Sequence, residues 1–117
     1  MRARKLKHRD ERLLACDNII TDEFSSDPPR LLPGELFPDY SKFRLEIGCG
    51  KGGFVRGEAI SHPDTAYIAV ELITDVIVQA AERTPKEEYK NVVFLNTNAS
   101  RLDRIFPAGS FERIHIN

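Results

Sequence analysis

The sequence predicts an α/β fold, a parallel sheet with helices on both faces. Three observations carry that prediction. Short apolar runs alternate with segments of helical spacing from residue 43 to residue 116, the pattern of successive strand–helix–strand units. The second and third runs, 66–72 and 92–95, are almost continuously apolar, as strands covered on both sides are. The first run breaks at Gly48-Cys49-Gly50-Lys51-Gly52-Gly53, where so little side chain lets something approach the backbone closely.

The elements follow in order. Residues 1 to about 16 read as a short basic helix through Leu6, Leu13, Leu14 and Ala15, without a clear cap. From Asp22 to Tyr40, Pro28-Pro29, Pro33-Gly34 and Pro38-Asp39 mark three turns, so this stretch is an irregular connector. Residues 1–40 are thus an arm and a proline-rich connector, and 41–117 the α/β portion, with about four parallel strands and flanking helices. Phe43 to Ile47 is the first strand, and Gly53 to Ser61 a short helix stopped near Pro63. Ala66 to Leu72 is the second strand. Thr74 is placed to cap a helix through Val76, Ile77, Ala80 and Ala81 that Pro85 terminates. Val92 to Leu95 is the third strand, Arg101 to Phe106 a short helix, and Phe111 to Ile116 the fourth strand.

Composition excludes several classes. With 41% hydrophobic and 30% charged residues in 117, this is ordinary globular material. No apolar run approaches the ~20 residues that span a bilayer, and the opening residues lack the apolar stretch of a signal peptide. Cys16 and Cys49 make no metal-like spacing, so neither a disulfide framework nor a metal site is expected, and a cytoplasmic setting is. Charge is uneven. Residues 1–12 hold six Lys/Arg and two acids, whereas the rest hold 11 Lys/Arg and 16 acids. A basic arm on an acidic body suits an anionic partner.

In such sheets ligands bind beyond the carboxyl ends of the strands. The glycine loop, Glu71 and Asn98 all fall there. A triphosphate loop needs a hydroxyl after its lysine, and Lys51 is followed by Gly52, so that reading fails. The dinucleotide fingerprint is matched by Gly48, Gly50 and Gly53, with Glu71 near the distance of a ribose-binding acid. Against it stands Glu46 at the end of the first strand, where a carboxylate repels a pyrophosphate but attracts an ammonium. The Asn98 amide donates and accepts, which suits an adenine edge. Acid, glycine loop, acid and amide fit S-adenosylmethionine better than a nicotinamide cofactor.

Leu45-Glu46-Ile47-Gly48-Cys49-Gly50-Lys51-Gly52, Ala69-Val70-Glu71, Asn91-Val92, Asn98-Ala99, Phe106-Pro107-Ala108-Gly109-Ser110 and the opening Met1-Arg2-Ala3-Arg4 together resemble the tRNA (guanine-N(7))-methyltransferase family of the TrmB type. The resemblance runs along essentially the whole chain. It implies a class I S-adenosylmethionine-dependent methyltransferase (Rossmann-like) fold and a variable-loop guanine of tRNA as methyl acceptor. The family's cofactor contacts fall on Glu46, Glu71 and Asn98, with the Gly48–Gly50 backbone beneath the donor. Where Asn98 stands the family often has Asp, which keeps the acceptor.

The family continues from the fourth strand into a Phe-x-Asp-Pro-Trp-Pro-Lys signature, and this chain stops one residue before it would start. The resemblance therefore implies the N-terminal portion of the domain, with no catalytic residue among these 117. A chain of this kind is expected to be poorly stable alone, with its fourth strand an exposed edge. Two alternatives remain: a non-catalytic module that binds the cofactor or RNA, and a nicotinamide-binding half-domain. Arg2, Arg4, Lys5, Lys7 and Arg9 are candidate tRNA phosphate contacts. Cys49, His62 and His115 are read as structural. Lys51 is open between a phosphate contact and a solvated side chain.

Overall fold

The computed structural model describes residues 6–24 and 27–117. Its strands are β1 (Ile19–Thr21), β2 (Lys42–Ile47), β3 (Thr65–Glu71), β4 (Val92–Asn96) and β5 (Arg113–Ile116). They form one sheet in the order β1-β4-β3-β2-β5, and every neighbouring pair is parallel. The helices are α1 (Arg9–Ala15), α2 (Pro33–Leu36), α3 (Gly53–Ser61), α4 (Thr74–Glu82) and α5 (Leu102–Ile105), the last preceded by a 3₁₀ turn at Ala99–Arg101.

Strand alternation sorts the core into two layers. On one face Tyr67, Ala69 and Phe94 pack against Val55 and Ala59 of α3 and Ile77, Ala80 and Ala81 of α4. On the other, Leu45, Ile68, Val70 and Leu95 meet Phe37, Ile105 and Phe106. The central β3 is buried from Thr65 through Val70, which is why its sequence carries no polar alternation.

Three local readings are corrected. A fifth strand, β1, pairs with β4 at the register Ile19 to Phe94. Within the proline-rich connector, Pro33 opens the one-turn helix α2, at the first helical position, where its missing N–H costs nothing. Thr74 does not cap α4, because Ile73 occupies the cap position and Thr74 is already helical. Its hydroxyl donates instead to the buried Asn96 Oδ1 at 3.1 Å.

The amino-terminal helix is fastened to α4. Arg12 donates to Glu82 through Nε at 2.8 Å, Arg9 reaches Asp75 at 3.4 Å, and the Leu6 amide donates to Asp75 at 3.1 Å. At the opposite edge of the sheet β5 is solvent-facing, with Ile114 and Ile116 exposed by 53% and 76%.

Candidate cofactor-binding site

The site is built where β2, β3 and β4 end side by side. The chain leaves β2 through Gly48, Gly50 and Gly52, all at positive φ. At Gly52 the requirement is strict, since φ is +85° and a Cβ would lie 2.7 Å from the Arg56 guanidinium and 3.4 Å from Ala80. That guanidinium donates to the Lys51 carbonyl at 2.8 Å and to Thr84 Oγ1 at 3.1 Å, fixing the loop to the end of α4.

Three amides of the loop point inward. Gly48 and Cys49 both donate to the Val70 carbonyl, at 2.8 and 2.9 Å, and Gly50 donates to Glu71 Oε1 at 3.0 Å.

Glu46 lies at the end of β2 and is only 1% exposed. Its Oε2 accepts from the Asn117 side-chain amide, whereas its Oε1 is buried and meets no donor among the described residues. Burial pushes its carboxyl above the ordinary range, the Asn117 hydrogen bond opposes this, and Glu58 adds a smaller push upward. An acceptor oxygen withheld from water and protein donors alike suits a cationic ligand group such as an ammonium. The donor set therefore fits the amino-acid end of a sulfonium cofactor.

Glu71 bridges the glycine loop and α4, with Oε1 taken by Gly50 and Oε2 accepting from the Ile73 amide at 3.0 Å. This places it beside the loop at the next strand end, where a ribose diol can meet its remaining lone pairs. Asn98 follows β4, is exposed, and caps the 3₁₀ turn by accepting from the Ser100 amide at 2.9 Å. Its side-chain NH₂ belongs to the same strand-end row.

Two residues that hold the strand ends of the candidate site in place escaped the sequence reading. Asn117 donates both to Glu46 and to the Gly48 carbonyl, at 3.1 Å for the latter, and so orients the key carboxylate. Asn96 donates to the Glu71 and Leu72 carbonyls at 3.0 and 3.2 Å and accepts from Thr74, locking the Glu71 loop to β4. Asparagine at a strand end was the available signal.

Other residues read as structural. The Cys49 thiol is buried and pushed up to about 12, chiefly by burial, so it is no nucleophile. Lys51 is exposed, and His62 and His115 lie within 4 Å of Glu58. Of the basic arm, Arg2, Arg4 and Lys5 lie outside the described residues. Lys7 is exposed, and Arg9 is paired with Asp10 and Asp75. Among the described residues no group of three or more His, Cys, Asp and Glu could hold a metal ion, and no helix is long and apolar enough to cross a membrane. A groove of about 490 Å³ between Leu31, Leu32, Ile105 and Phe106 contains none of the predicted site residues.

A parallel sheet whose strand ends carry this loop and these acids defines a Rossmann-like domain of the class I methyltransferase type. A solved antibiotic-related methyltransferase shares the fold at a TM-score of 0.59 and 20% identity, over 71% of this chain and 43% of that one. The phosphoethanolamine N-methyltransferase 2 of Haemonchus contortus, solved in complex with S-adenosyl-L-methionine, matches at 0.52 and 26% identity, over 71% of this chain and 19% of that one. The chain belongs to the methyltransferase family whose model, described as "Putative methyltransferase", matches residues 41–117. A tRNA (guanine-N(7)-)-methyltransferase of Bacillus licheniformis is 33% identical over 120 residues, covering 100% of this chain and 54% of the relative. The chain thus spans about half the length of that curated relative.

Proposed function

We propose that this chain carries the methyl-donor site of a cytoplasmic tRNA (guanine-N(7)-)-methyltransferase that uses S-adenosylmethionine. The observation that carries the reading is the buried Glu46 oxygen that meets no donor among the described residues, tied through Asn117 to the start of the glycine loop. The curated relative of that name supports the acceptor, and the neighbour solved with S-adenosyl-L-methionine supports the donor.

The cofactor, when bound, supplies an electrophilic methyl on a sulfonium. Glu46 takes its ammonium and, held by Asn117, fixes the amino-acid end. The backbone from Gly48 to Gly50, bare of side chains, lets the donor lie against it. Glu71 accepts from the ribose hydroxyls, and the Asn98 amide reads the adenine edge. Guanine N(7) has a lone pair outside Watson–Crick pairing, so transfer asks chiefly for alignment of nucleophile, methyl and leaving sulfur. A carboxylate near the purine stabilises the charge that develops there, and the resembling family carries one after the strand that corresponds to β5. Lys7, with Arg2, Arg4 and Lys5, supplies phosphate contacts that weaken steeply with salt.

Calorimetric titration of S-adenosylhomocysteine into the chain tests the reading, with Glu46→Ala and an NAD titration as controls. Binding that the substitution abolishes, with no heat from NAD, is the expected result. NAD binding, or S-adenosylhomocysteine binding indifferent to residue 46, overturns it.

A further inference from the structure

The row of strand ends continues one strand past Asn98, to β1, and the residues there are built more firmly than a surface loop needs. Asp22, which follows β1, is 1% exposed and fully engaged. It accepts from Arg101 at 2.6 and 3.2 Å, from Thr97 at 2.8 Å, and from the Phe24 amide at 3.0 Å. That last bond holds Phe24 at φ +58°, a conformation that bulky L-residues rarely adopt. The ring so placed joins neither core layer and is 49% exposed. The Arg101 guanidinium, oriented by Asp22, lies 5.7 Å from its centroid. A strained backbone here leaves an aromatic residue half exposed, with a guanidinium over its ring.

We infer that Phe24, backed by Arg101, is a stacking platform for an unpaired RNA base. Single-stranded RNA is recognised by aromatic rings and arginine planes on which splayed bases stack. The position selects RNA over the cofactor's own adenine. Glu46, Glu71 and Asn98 cover the ends of β2, β3 and β4, and Phe24 lies beyond them, about 5 Å further along the row. This assignment of the donor's span rests on the function proposed above.

The chain contains no tryptophan, so Phe24→Trp installs a single reporter at the platform. Its emission is followed during titration with a single-stranded oligoadenylate of about ten nucleotides, and separately with S-adenosylhomocysteine. The affinity of the labelled oligoadenylate is measured for the native chain, Phe24→Ala, Phe24→Leu and Phe24→Tyr. Quenching by the oligoadenylate alone is expected. Loss of about tenfold or more in its affinity is expected for Ala and for Leu, with Tyr restoring it and S-adenosylhomocysteine affinity equal throughout. Unchanged oligoadenylate affinity in Phe24→Ala, or no binding by the native chain, overturns the platform. Quenching by S-adenosylhomocysteine, with its affinity lowered in Phe24→Ala, assigns the ring to the donor and also overturns it. Failure of S-adenosylhomocysteine to bind any variant, with the oligoadenylate pattern intact, sinks the donor reading and leaves the platform standing.

Discussion

Asp22 and Glu46 are two carboxylates, each 1% exposed and each at the carboxyl end of the sheet, yet one carboxyl is held below the ordinary range and the other above it. The Arg101 hydrogen bond leads in holding Asp22 below the ordinary range, and it outweighs the cost of burial. Burial leads in raising Glu46, because among the described residues one oxygen has only Asn117 and the other has no donor. Depth below the surface and the supply of donors set the sign together. The same sheet that satisfies one acid on all sides leaves one oxygen of the other buried and unpartnered among the described residues, and Asn117 ties its second oxygen to the Gly48 carbonyl of the glycine loop.

The largest expected effect comes from breaking the satisfied acid. Asp22→Ala removes the hydrogen bonds that Arg101, Thr97 and the Phe24 amide make to the buried carboxylate, and a drop of about 2 kcal/mol is expected in urea unfolding. The pH dependence sharpens the contrast. Asp22 has a depressed carboxyl, so its contribution is present above the ordinary aspartate value of about 3.9 and is lost as pH falls through the depressed one. The Asp22→Ala variant should lose less stability on acidification than the native chain.

Glu46 should behave in reverse. With a raised carboxyl, the native state holds its proton longer than the unfolded chain, so stability is full at low pH. It declines as pH rises from the ordinary glutamate value towards the raised one. Glu46→Gln should therefore gain about 1 kcal/mol at neutral pH while losing S-adenosylhomocysteine binding in calorimetry. A gain in stability paired with a loss of binding distinguishes a ligand site from a structural acid. Asn117→Ala removes the only donor to the Glu46 side chain among the described residues and should push that carboxyl further up, visible by NMR titration of the glutamate carboxyl. Smallest of all, Arg12→Gln breaks a half-exposed pair with Glu82 and should leave the urea midpoint unresolved from the native value.

The strands that carry the site were legible because their apolar runs are local facts. β2, β3 and β4 fall within one or two residues of the predicted strands, and so do the glycine loop and both acids of the row. β1 was not legible. Ile19–Thr21 is too short to show a period, and it is a strand only because β4 lies beside it. Thr74 had every local mark of a cap, but the amide at the start of α4 is met by Glu71 from the preceding strand, and the threonine hydroxyl turns to Asn96. Asn96, Asn117 and Asp22 work through partners brought to them by the fold, and no spacing rule reaches that far. Lys7 and Arg9 looked alike in the basic arm until α4 supplied Asp75 for one of them.

The pairing of β1 with β4 also constrains the order of folding. Asp22 bonds to Thr97 and Arg101, which are 75 and 79 residues away. During synthesis the first strand to emerge must wait for the fourth before it has a neighbour, and closing so long a loop is slow. The Asp22 cluster then acts as the latch that closes the sheet at this edge. Its formation should be a late event, and refolding followed at Phe24→Trp would register it after the β2–β3–β4 core has consolidated.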